Sequence, residues 1–585
     1  MPLSINKVPN CIYSVCFMLS IILLGLGTSY AQKPITDPGG DEKWARAFLI
    51  AGDYVNALKE YQLLIKKDSA NTEYNYNLAT CYLNTNIDKV KALPYMLQAS
   101  LDPKMDPLVF YDLGRAYQTC YRFDEAIEAY KKYKTLLTGE DVNYISADLQ
   151  IEMCNRAKEM MLHPANVTFE NLGSRINTPF PDFNPYITRS ETTLFFTSKR
   201  TGNLGNLMDY DGYFTSDLFY VENKYGAWEK CKRLPTTINT PLVEEMAGLS
   251  GDGNTLFSYV DNLDARFQVR YAEKEGKSFR FMQSMGANIN PNNEGASAVT
   301  MSKNKKTIIF AAEREGGTGG SDLYTARALP NGGWTPPENL GTILNTKFDE
   351  DYPQLAYNDT RLYFSSVGHN SMGGFDIYYS DWDSTNSRWA EPVNIGYPVN
   401  TPDDNVQICF TASGRYAYTA ALRPEGYGNL DIYRIIFHEV KSGCTVLKGA
   451  LASSDSLNIF EIYRTELQAG LDSLRASLDS TFLAVNKVSD TTISSRKLRL
   501  SQIEKQLSIG PAVTITVVNK TSGKPYGTYR PNPANGRFAI ALEAGEYQIN
   551  VNCEGYEPFI SDVKIRDMEM PLKEINQNFV LTKIK

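Results

Sequence analysis

The chain has 585 residues, too many for one hydrophobic core, so several domains are expected. Hydrophobic residues make up 42% and charged residues 22%, as in folded globular proteins, and the formal net charge of −8 argues against a broad nucleic-acid-binding face. Aromatic residues make up 12%, including 37 Tyr, which favours sheet surfaces and recognition faces.

The N-terminus has the pattern of an export signal. Lys7 supplies a positive charge, residues 17–26 form a short apolar run, and the small-x-small sequence at 29–31 precedes Gln32. The apolar run is shorter than the roughly 20 residues that a membrane-spanning helix needs. We therefore predict a cleaved signal peptide over residues 1–31, a mature protein located beyond the inner membrane, and no transmembrane segment after cleavage.

Residues 41–162 have the pattern of a helical repeat. A small residue followed four positions later by a large one recurs at intervals of 35 and 34 residues. Small residues at fixed points let two helices approach closely, and a period near 34 is typical of the tetratricopeptide repeat. An α-helical solenoid is predicted, with a capping helix at about 141–162. The repeat positions are Ala57 with Tyr61, Ala92 with Met96, Phe110, Leu113 and Gly114 with Tyr117, and Ala126 with Tyr130.

Residues 165–440 change to short β-runs broken by Gly, Asn, Asp and Pro, and one short motif occurs there five times. We call it the Asn-Thr motif, because four copies end in Asn-Thr and one in Asn-Pro. Its copies are NLGSRINT (171–178), RLPTTINT (233–240), GANINP (286–291), NLGTILNT (339–346) and NIGYPVNT (394–401). The Asn that every copy shares is Asn177, Asn239, Asn290, Asn345 and Asn400.

Each motif is followed by a polar stretch, a strand, a tight turn, a second strand, a Gly-rich loop and a third strand. Equivalent positions of the third strand are spaced 51, 54, 54 and 55 residues apart. Units of about four strands with this period are typical of β-propeller blades. The third-strand positions are Asp217, Gln268, Asp322, Asp376 and Asp431.

The first Asn-Thr motif precedes the first unit, whereas the last unit ends without one. We therefore predict that the strand beginning near 167 pairs with the last strand, at 431–437, and closes the ring, which removes exposed sheet edges. Five motifs and five strand triplets favour a five-bladed propeller. A six-bladed propeller with one degenerate unit is the alternative.

Residues 445–585 form a third region. A strand at 445–451 is followed by a helical pattern over 456–508, where Leu467, Leu471, Leu474, Leu478 and Leu483 lie on one stripe. From 511 the period returns to two, with a hairpin signal at Asn535-Gly536. The prediction is a small β-sandwich with inserted helices. The overall fold class is thus multidomain α + β.

The sequence contains few candidates for catalysis. Residues 248–252 resemble a nucleophile elbow but lack its second Gly in register, so they are better explained as a hairpin turn. The acids Glu313, Glu315 and Glu425 lie in predicted loops, where surface carboxylates are common. The Asp that recurs at the third strand is interpreted as structural, because catalytic groups are singular. No enzyme activity is predicted.

Metal and cofactor sites are also not predicted. The three His residues, His163, His369 and His438, stand far apart, and the seven Cys after residue 31 contain no CxxC pair. Asp209-x-Asp211-Gly212 has the beginning of a calcium loop without the rest of it, and it is interpreted as a loop between strands.

The order of these modules resembles the PorE-like periplasmic proteins of the Bacteroidota type IX secretion system. Those proteins combine tetratricopeptide repeats, a propeller of WD40-like (PD40) blades with [GS]DLY strands and LPxxINT motifs, and a carboxypeptidase-regulatory-like domain, which residues 510–559 resemble throughout. They continue into an OmpA-like peptidoglycan-binding domain, whereas this chain ends at Lys585. No wall-binding residues are therefore carried over.

The resemblance implies a non-enzymatic scaffold or adaptor, peripherally associated with the outer membrane and belonging to the secretion or gliding machinery. Its partners would be other envelope or secretion-system proteins, including outer-membrane lipoproteins. We expect the concave helical surface to hold a partner segment, and the propeller loops 313–321, 367–375 and 423–429 to dock a protein or a glycan. A glycan- or peptidoglycan-binding envelope protein is the first alternative, and an enzyme of unrecognised type is the second.

Overall fold

The computed structural model describes residues 39–224, 226–261, 268–291, 295–330, 332–356, 359–479, 488–569 and 574–584. The predicted signal peptide and Leu483 lie outside these ranges. The described residues divide into two compact units, the first of 39–224 and 228–440, the second of 226–227 and 441–584. The helical repeats and the strands that follow them thus belong to one unit. Among the described residues, no helix has the length and apolarity needed to cross a membrane.

Residues 39–162, all of which the structure describes, form seven α-helices and one 3₁₀ turn (Lys89–Lys91), and each α-helix packs against the next along the chain. The helices are α1 (Glu42–Ala51), α2 (Tyr54–Lys67), α3 (Thr72–Leu83), α4 (Ala92–Ala99), α5 (Leu108–Thr119), α6 (Phe123–Leu136) and α7 (Ala147–Leu162).

Polar caps set the starts of several helices. The carboxylate of Asp41 accepts hydrogen bonds from the backbone N–H of Lys43 and Trp44 at the start of α1, and Asp53 accepts from Asn56 N–H at the start of α2. Asn71 and Ser146 cap α3 and α7 in the same way. These side chains satisfy backbone donors that have no partner within the helix.

The helices pack through the small and large residues of the repeat pattern. Ala57, Ala92 and Ala126 are fully buried, and so are Tyr61 and Tyr130. Next to them, Gly114 of α5 lies directly against the ring of Tyr130 in α6, where an added Cβ would stand 2.5 Å from the Cε1 atom of the ring. Tyr117 of α5 is half-buried, with the Arg122 guanidinium over its ring at 4.8 Å. The spacing seen in the sequence therefore corresponds to helix–helix contacts.

After the helices, the described residues from 167 to 437 form 23 strands. They are β1 (Val167–Asn171), β2 (Asp182–Ile187), β3 (Thr193–Ser198), β4 (Asp217–Lys224), β5 (Ala227–Trp228), β6 (Lys232–Arg233), β7 (Val243–Leu249), β8 (Thr255–Asp261), β9 (Gln268–Glu275), β10 (Ser278–Phe279), β11 (Gln283–Ser284), β12 (Ala298–Met301), β13 (Thr307–Glu313), β14 (Ser321–Arg327), β15 (Glu338–Asn339), β16 (Glu350–Ala356), β17 (Arg361–Ser366), β18 (Asp376–Asp383), β19 (Arg388–Trp389), β20 (Val393–Asn394), β21 (Cys409–Phe410), β22 (Tyr416–Ala421) and β23 (Asp431–Phe437).

In the described part of the chain these strands form five antiparallel sheets of four or five strands. In chain order the sheets are β2–β6, β7–β11, β12–β15, β16–β20, and a last one in the order β21-β22-β23-β1. The first strands of the first four sheets, β2, β7, β12 and β16, are called the inner strands. β2 contacts β7, β7 contacts β12 and β12 contacts β16, and β2 also contacts β21 and β22 of the last sheet. The fourth and fifth sheets meet where Tyr363 stacks on Phe410 at 4.1 Å between ring centroids. The contacts therefore run around the five sheets and return to the first.

The strand that precedes the first sheet completes the last one, as predicted from the misplaced motif. β1 pairs antiparallel with β23, in a register that joins Val167 to Phe437 and Asn171 to Tyr433. Without β1, the edge of β23 would present unpaired backbone groups. This pairing joins the two ends of the sheet region, which are more than 250 positions apart in the chain.

The described residues of the second unit form two packed sheets and two helices. One sheet has the order β27-β24-β30, with β31 also on β24, and the other has the order β26-β25-β28-β29. Both sheets contribute to a common core that includes Leu447, Ile515, Ile540 and Ile549. The elements are β24 (Thr445–Ser453), α8 (Ile459–Ser477), α9 (Asp490–Ile509), β25 (Val513–Asn519), β26 (Pro525–Tyr529), β27 (Arg537–Leu542), β28 (Gly545–Cys553), β29 (Phe559–Ile565), β30 (Glu574–Asn576) and β31 (Phe579–Leu581).

Replacing Gly114 by Ala is expected to destabilise the helical region by about 2 kcal/mol. The new methyl group would overlap the ring of Tyr130, which is fully buried and hydrogen-bonded to Gln118. This overlap outweighs the gain of about 1 kcal/mol in helix propensity. Gly470→Ala in α8 is the matched control, because nothing lies within 4 Å of its Cβ position. It should be neutral or stabilising in thermal denaturation followed by circular dichroism. Equal effects of the two substitutions would contradict the close packing of Gly114 against Tyr130.

Candidate functional site

The repeated Asn residues bind the backbone of the third strand in each sheet. The side chain of Asn345 accepts from Leu323 N–H at 2.8 Å and donates to the Leu323 carbonyl at 3.0 Å, and it also donates to Asn339. Asn177, Asn239 and Asn400 make the same pair of bonds to Ile432, Leu218 and Ile377. Asn290 keeps the donor half, to the carbonyl of Val269 at 2.8 Å. The Asn-Thr motif is thus a clip that attaches each connection to its sheet.

The repeated Asp residues hold the Gly-rich loop that precedes the third strand. Asp322 accepts from Thr318 N–H and from the Asn339 amide, and Asp376 accepts from Met372 N–H and the Asn394 amide. Asp431 makes the equivalent bonds to Tyr427 N–H and Asn171. Asp217 binds Leu204 N–H and Arg233. At the corresponding place in the second sheet, Gln268 begins β9.

A further repeated device was not recognised in the sequence. The Thr that ends the motif donates through its hydroxyl, and through its backbone N–H, to an acid or amide four residues later. The pairs are Thr178 with Asp182, Thr240 with Glu244, Thr346 with Glu350, and Thr401 with Asn405. The signal is visible in the sequence but is broken in the third copy, where Pro291 is followed four residues later by Gly295.

The helices dock on one face of the sheets through polar contacts near the inner strands. The Tyr144 hydroxyl bonds to the carboxylate of Asp349, and the Lys89 ammonium lies 2.5 Å from Asp403. Apolar contacts accompany them, since Ile145 and Met153 share a buried cluster with Val367 and Phe375. The helical region therefore covers this face of the first unit.

A cavity of about 1660 Å³ lies between the helices and the covered face. The helices contribute the α1–α2 turn, the end of α3, and residues of α5 and α7. The sheets contribute residues at or beside each inner strand: Phe183, Glu245, Ser297, Asp351 and Gln407. The three loops that were predicted to dock a partner, 313–321, 367–375 and 423–429, all supply part of the lining.

Lys199 is a buried basic group in the lining of this cavity. Its side chain is 2% exposed, and its ammonium lies 2.8 Å from Asp209 and 2.5 Å from Asp211. Burial opposes the charge on Lys199, but Asp211 and Asp209 outweigh this effect and raise its pKa. The two aspartates that resembled the start of a calcium loop therefore bind a lysine of the same chain.

Glu245 lies beside this group and is itself buried. Burial raises its pKa to about 7, with Asp209 and Asp211 adding to the effect and Lys199 opposing it. The register of β7 against β8 shifts immediately after this residue, between Met246 and Gly248. Such a bulge redirects side chains, and the inner strands β2 and β16 have bulges at corresponding places.

Several buried polar atoms of the cavity lining have no hydrogen-bond partner in the described part of the structure. Two of them, on the sheet side, are acceptors: Glu245 Oε1 and Gln407 Oε1. Most buried polar atoms in folded proteins are paired, because an unpaired one costs about 1–3 kcal/mol. Unpaired atoms that line a cavity therefore indicate a place for a ligand.

Asp351 of β16 is a second buried carboxyl of the lining. It accepts from the Ser297 hydroxyl at 2.9 Å and from Tyr352 N–H at 2.6 Å. Burial raises its pKa to about 7, against the effect of these hydrogen bonds. A carboxyl whose pKa is raised by folding stabilises the protein at low pH, and this contribution is lost as the pH rises through about 7.

Asp351→Asn is therefore expected to flatten the pH dependence of stability. Between about pH 5.5 and 8.5 the wild type should lose about 2 kcal/mol more than the variant, because only the wild type must ionise a buried carboxyl at this position. Urea denaturation followed by Trp fluorescence measures this, since all five Trp belong to the first unit. If the stability of Asp351→Asn depends on pH as that of the wild type does, the raised pKa of Asp351 is contradicted.

The remaining sequence candidates lie apart from one another. Ser250 is in the turn between β7 and β8, where its hydroxyl donates to Asp252 at 2.6 Å and accepts from Thr255 N–H. Glu313 and Glu315 line the cavity, whereas Glu425 pairs with Arg423 at 3.0 Å. His369 bonds to the Leu344 carbonyl, and His438 bonds to Thr168. Among the described residues, no group of three or more His, Cys, Asp or Glu is placed to hold a metal ion.

No protein-family model and no curated protein matches the sequence. Solved structures with some similarity include TolB from Acinetobacter baumannii, at 13% identity and a TM-score of 0.29 over 44% of this chain; the match spans 54% of TolB, about half its length. They also include an endo-arabinase from Bacteroides thetaiotaomicron, at 12% identity and a TM-score of 0.31, covering 45% of this chain and 96% of the enzyme. An α-L-arabinofuranosidase from Lactobacillus brevis has 13% identity and a TM-score of 0.28, covering 52% of this chain and 97% of that one. Function must therefore be inferred from the cavity.

Proposed function

We propose that this chain is a non-enzymatic scaffold of the cell envelope that binds a segment of a partner protein in the cavity between its helices and its sheets. One observation carries the proposal: the cavity measures about 1660 Å³, and its lining has buried polar atoms that make no hydrogen bond to the described residues. Ligand sites for small molecules usually measure about 300–1,000 Å³. The larger volume suits a stretch of polypeptide.

The finer description of the fold belongs to the same proposal. We take the five sheets as the blades of a five-bladed propeller and the seven helices as a tetratricopeptide-type solenoid. The β1–β23 pairing and the Asn clip in every sheet support the first assignment, and the buried Ala and Tyr at the repeat positions support the second. Surfaces of both kinds commonly bind peptides and proteins.

We also propose that the mature protein is periplasmic, associated peripherally with the outer membrane, and part of the type IX secretion or gliding machinery. The sequence pattern of residues 1–31 and the order of the modules support this placement. The partners would be other envelope proteins, including outer-membrane lipoproteins. Ser250 supports a role without catalysis, because its hydroxyl is engaged within a turn.

Affinity purification of the full chain from envelope fractions tests this function. The wild type should recover secretion-system or outer-membrane proteins. Glu313→Trp places a large ring at the cavity lining and should lower their recovery severalfold, whereas Glu338→Trp, an exposed position on β15 outside the lining, should not. Recovery of no envelope partner by the wild type would overturn the proposal.

Binding of a glycan is the second candidate, favoured by the aromatic side chains of the same cavity. Tyr54, Tyr210, Tyr213 and Tyr352 line it together with carboxyl groups. Aromatic rings with a polar edge and hydrogen-bond acceptors suit polyhydroxylated ligands. Retention of the full chain on purified peptidoglycan or on a glycan array, abolished in Tyr352→Ala, would favour this function over the scaffold.

A further inference from the structure

Two acceptors of the described cavity lining that lack a hydrogen bond are deeply buried. Glu245 is 4% exposed and Gln407 is 3% exposed. Gln407 donates from its amide nitrogen to the Pro185 carbonyl at 2.7 Å, which requires a donor at that end and leaves the amide oxygen as the unpaired atom. Oε1 of Glu245 makes no hydrogen bond of normal length and angle to a described group, although the neighbouring Ser216 hydroxyl acts to lower the pKa of this carboxyl. Both oxygen atoms can therefore accept hydrogen bonds from a bound ligand.

The charges around Glu245 specify which donor fits best. The neighbouring charged groups are Asp209, Asp211 and Lys199. The Lys199 ammonium is already hydrogen-bonded to both aspartates, so one positive charge faces three carboxyl groups. A buried carboxylate without a counter-ion is unfavourable, and a bound cation removes this penalty. Since no metal-ligating set is formed among the described residues, an organic cation is favoured.

We propose that the cavity binds a basic side chain of a partner polypeptide, with the ammonium or guanidinium group paired to Glu245. Gln407 offers a further acceptor to the N–H groups of the same segment. This inference rests on the proposed function, because it assigns the chemistry of the ligand in the same cavity. Removing one partner of a buried, hydrogen-bonded ion pair costs far more than removing one partner of the same pair at the surface.

The probe is an acetylated and amidated tri-lysine peptide, titrated into the full chain in a calorimeter. The same peptide with acetylated lysine side chains is the matched ligand control, because it keeps the length and loses the charges. Wild-type protein should bind the first peptide and not the second. Binding should also release protons near pH 7, because pairing with a cation lowers the raised pKa of Glu245. The heat should therefore depend on the ionisation enthalpy of the buffer.

Glu245→Gln removes the charge and keeps the shape, and it should weaken tri-lysine binding at least about tenfold and abolish the proton release. Glu338→Gln makes the same chemical change at an exposed position outside the cavity and should leave both unchanged, which separates a specific site from attraction to an acidic protein. Glu245→Asp, which keeps the charge, should retain part of the affinity. An unaltered melting temperature in each variant shows that the fold is intact.

Two results would overturn the inference: no binding of tri-lysine by the wild type, or equal binding by Glu245→Gln. The test is separable from that of the proposed function. If Glu245→Gln recovers envelope partners as well as the wild type does, the cation site is wrong while the scaffold role stands. If the wild type recovers no partner but binds tri-lysine through Glu245, the site is supported and the scaffold role fails.

Discussion

Replacing Lys199 by Met is expected to destabilise the first unit by about 3 kcal/mol. The ammonium of Lys199 bonds to Asp209 and Asp211, whose side chains are 14% and 27% exposed. Removing one partner of a buried ion pair typically costs about 3–5 kcal/mol, because it leaves charge buried without compensation. The partial exposure of the two aspartates places the expected loss at the lower end of this range. Urea denaturation followed by Trp fluorescence measures it.

Two further variants show whether the cause is electrostatic. Lys232→Met is the matched control, because Lys232 pairs with Glu222 at 3.3 Å while both side chains are about half exposed, and its effect on stability should be much smaller than that of Lys199→Met. Adding Asp209→Asn and Asp211→Asn to Lys199→Met removes all three charges and should restore at least half of the lost stability. A triple variant no more stable than Lys199→Met would show that packing, not charge, explains the loss.

Asn345→Ala is expected to cost about 3 kcal/mol, measured in the same way. Asn345 is 1% exposed, and it is the partner of the buried Leu323 N–H. The Leu323 carbonyl retains a second donor, Leu340 N–H at 2.9 Å, so the N–H group is the atom left unsatisfied. An unsatisfied buried donor costs about 1–3 kcal/mol, and the lost bonds to the Leu323 carbonyl and to Asn339 add about 1 kcal/mol.

The control for this prediction is Asn288→Ala. Asn288 belongs to the third Asn-Thr motif but is exposed, and its side chain donates a hydrogen bond to the Trp334 carbonyl at 2.8 Å. Its loss should cost less than about 1 kcal/mol, because water replaces the bond. Equal losses at Asn288 and Asn345 would refute the role of the motif as a buried clip.

The repeated features of this chain could be predicted from the sequence because each depends on local geometry. A third strand that begins every 51 to 55 residues, with a motif between strands, requires the same turn and the same backbone contact in each unit. The pairing of β1 with β23 also followed from the sequence, since an unpaired copy of a repeat needs a partner at the other end. The hydrogen bonds from the motif's Thr to the side chain four residues later are equally local. They were not predicted, because the copy ending at Pro291 departs from the pattern.

The cavity could not be predicted in this way. It depends on contacts such as Tyr144 with Asp349 and Lys89 with Asp403, which are 205 and 314 positions apart. No periodicity in the sequence relates such pairs, because each contact occurs once. Lys199, Glu245 and Gln407 were not singled out either, since nothing in their immediate neighbours distinguishes them from other charged or polar residues on strands.

The amino-acid sequence by itself thus determined the repeating elements: which small residues meet which rings in the helices, and which Asn binds which strand. Only the tertiary structure decided which polar groups are satisfied within the fold and which are left to face a cavity. The physical reason is that repeats are specified by short-range sterics and hydrogen bonds, whereas charge compensation at Glu245 of β7 arises from Lys199, Asp209 and Asp211, which lie in the connection between β3 and β4.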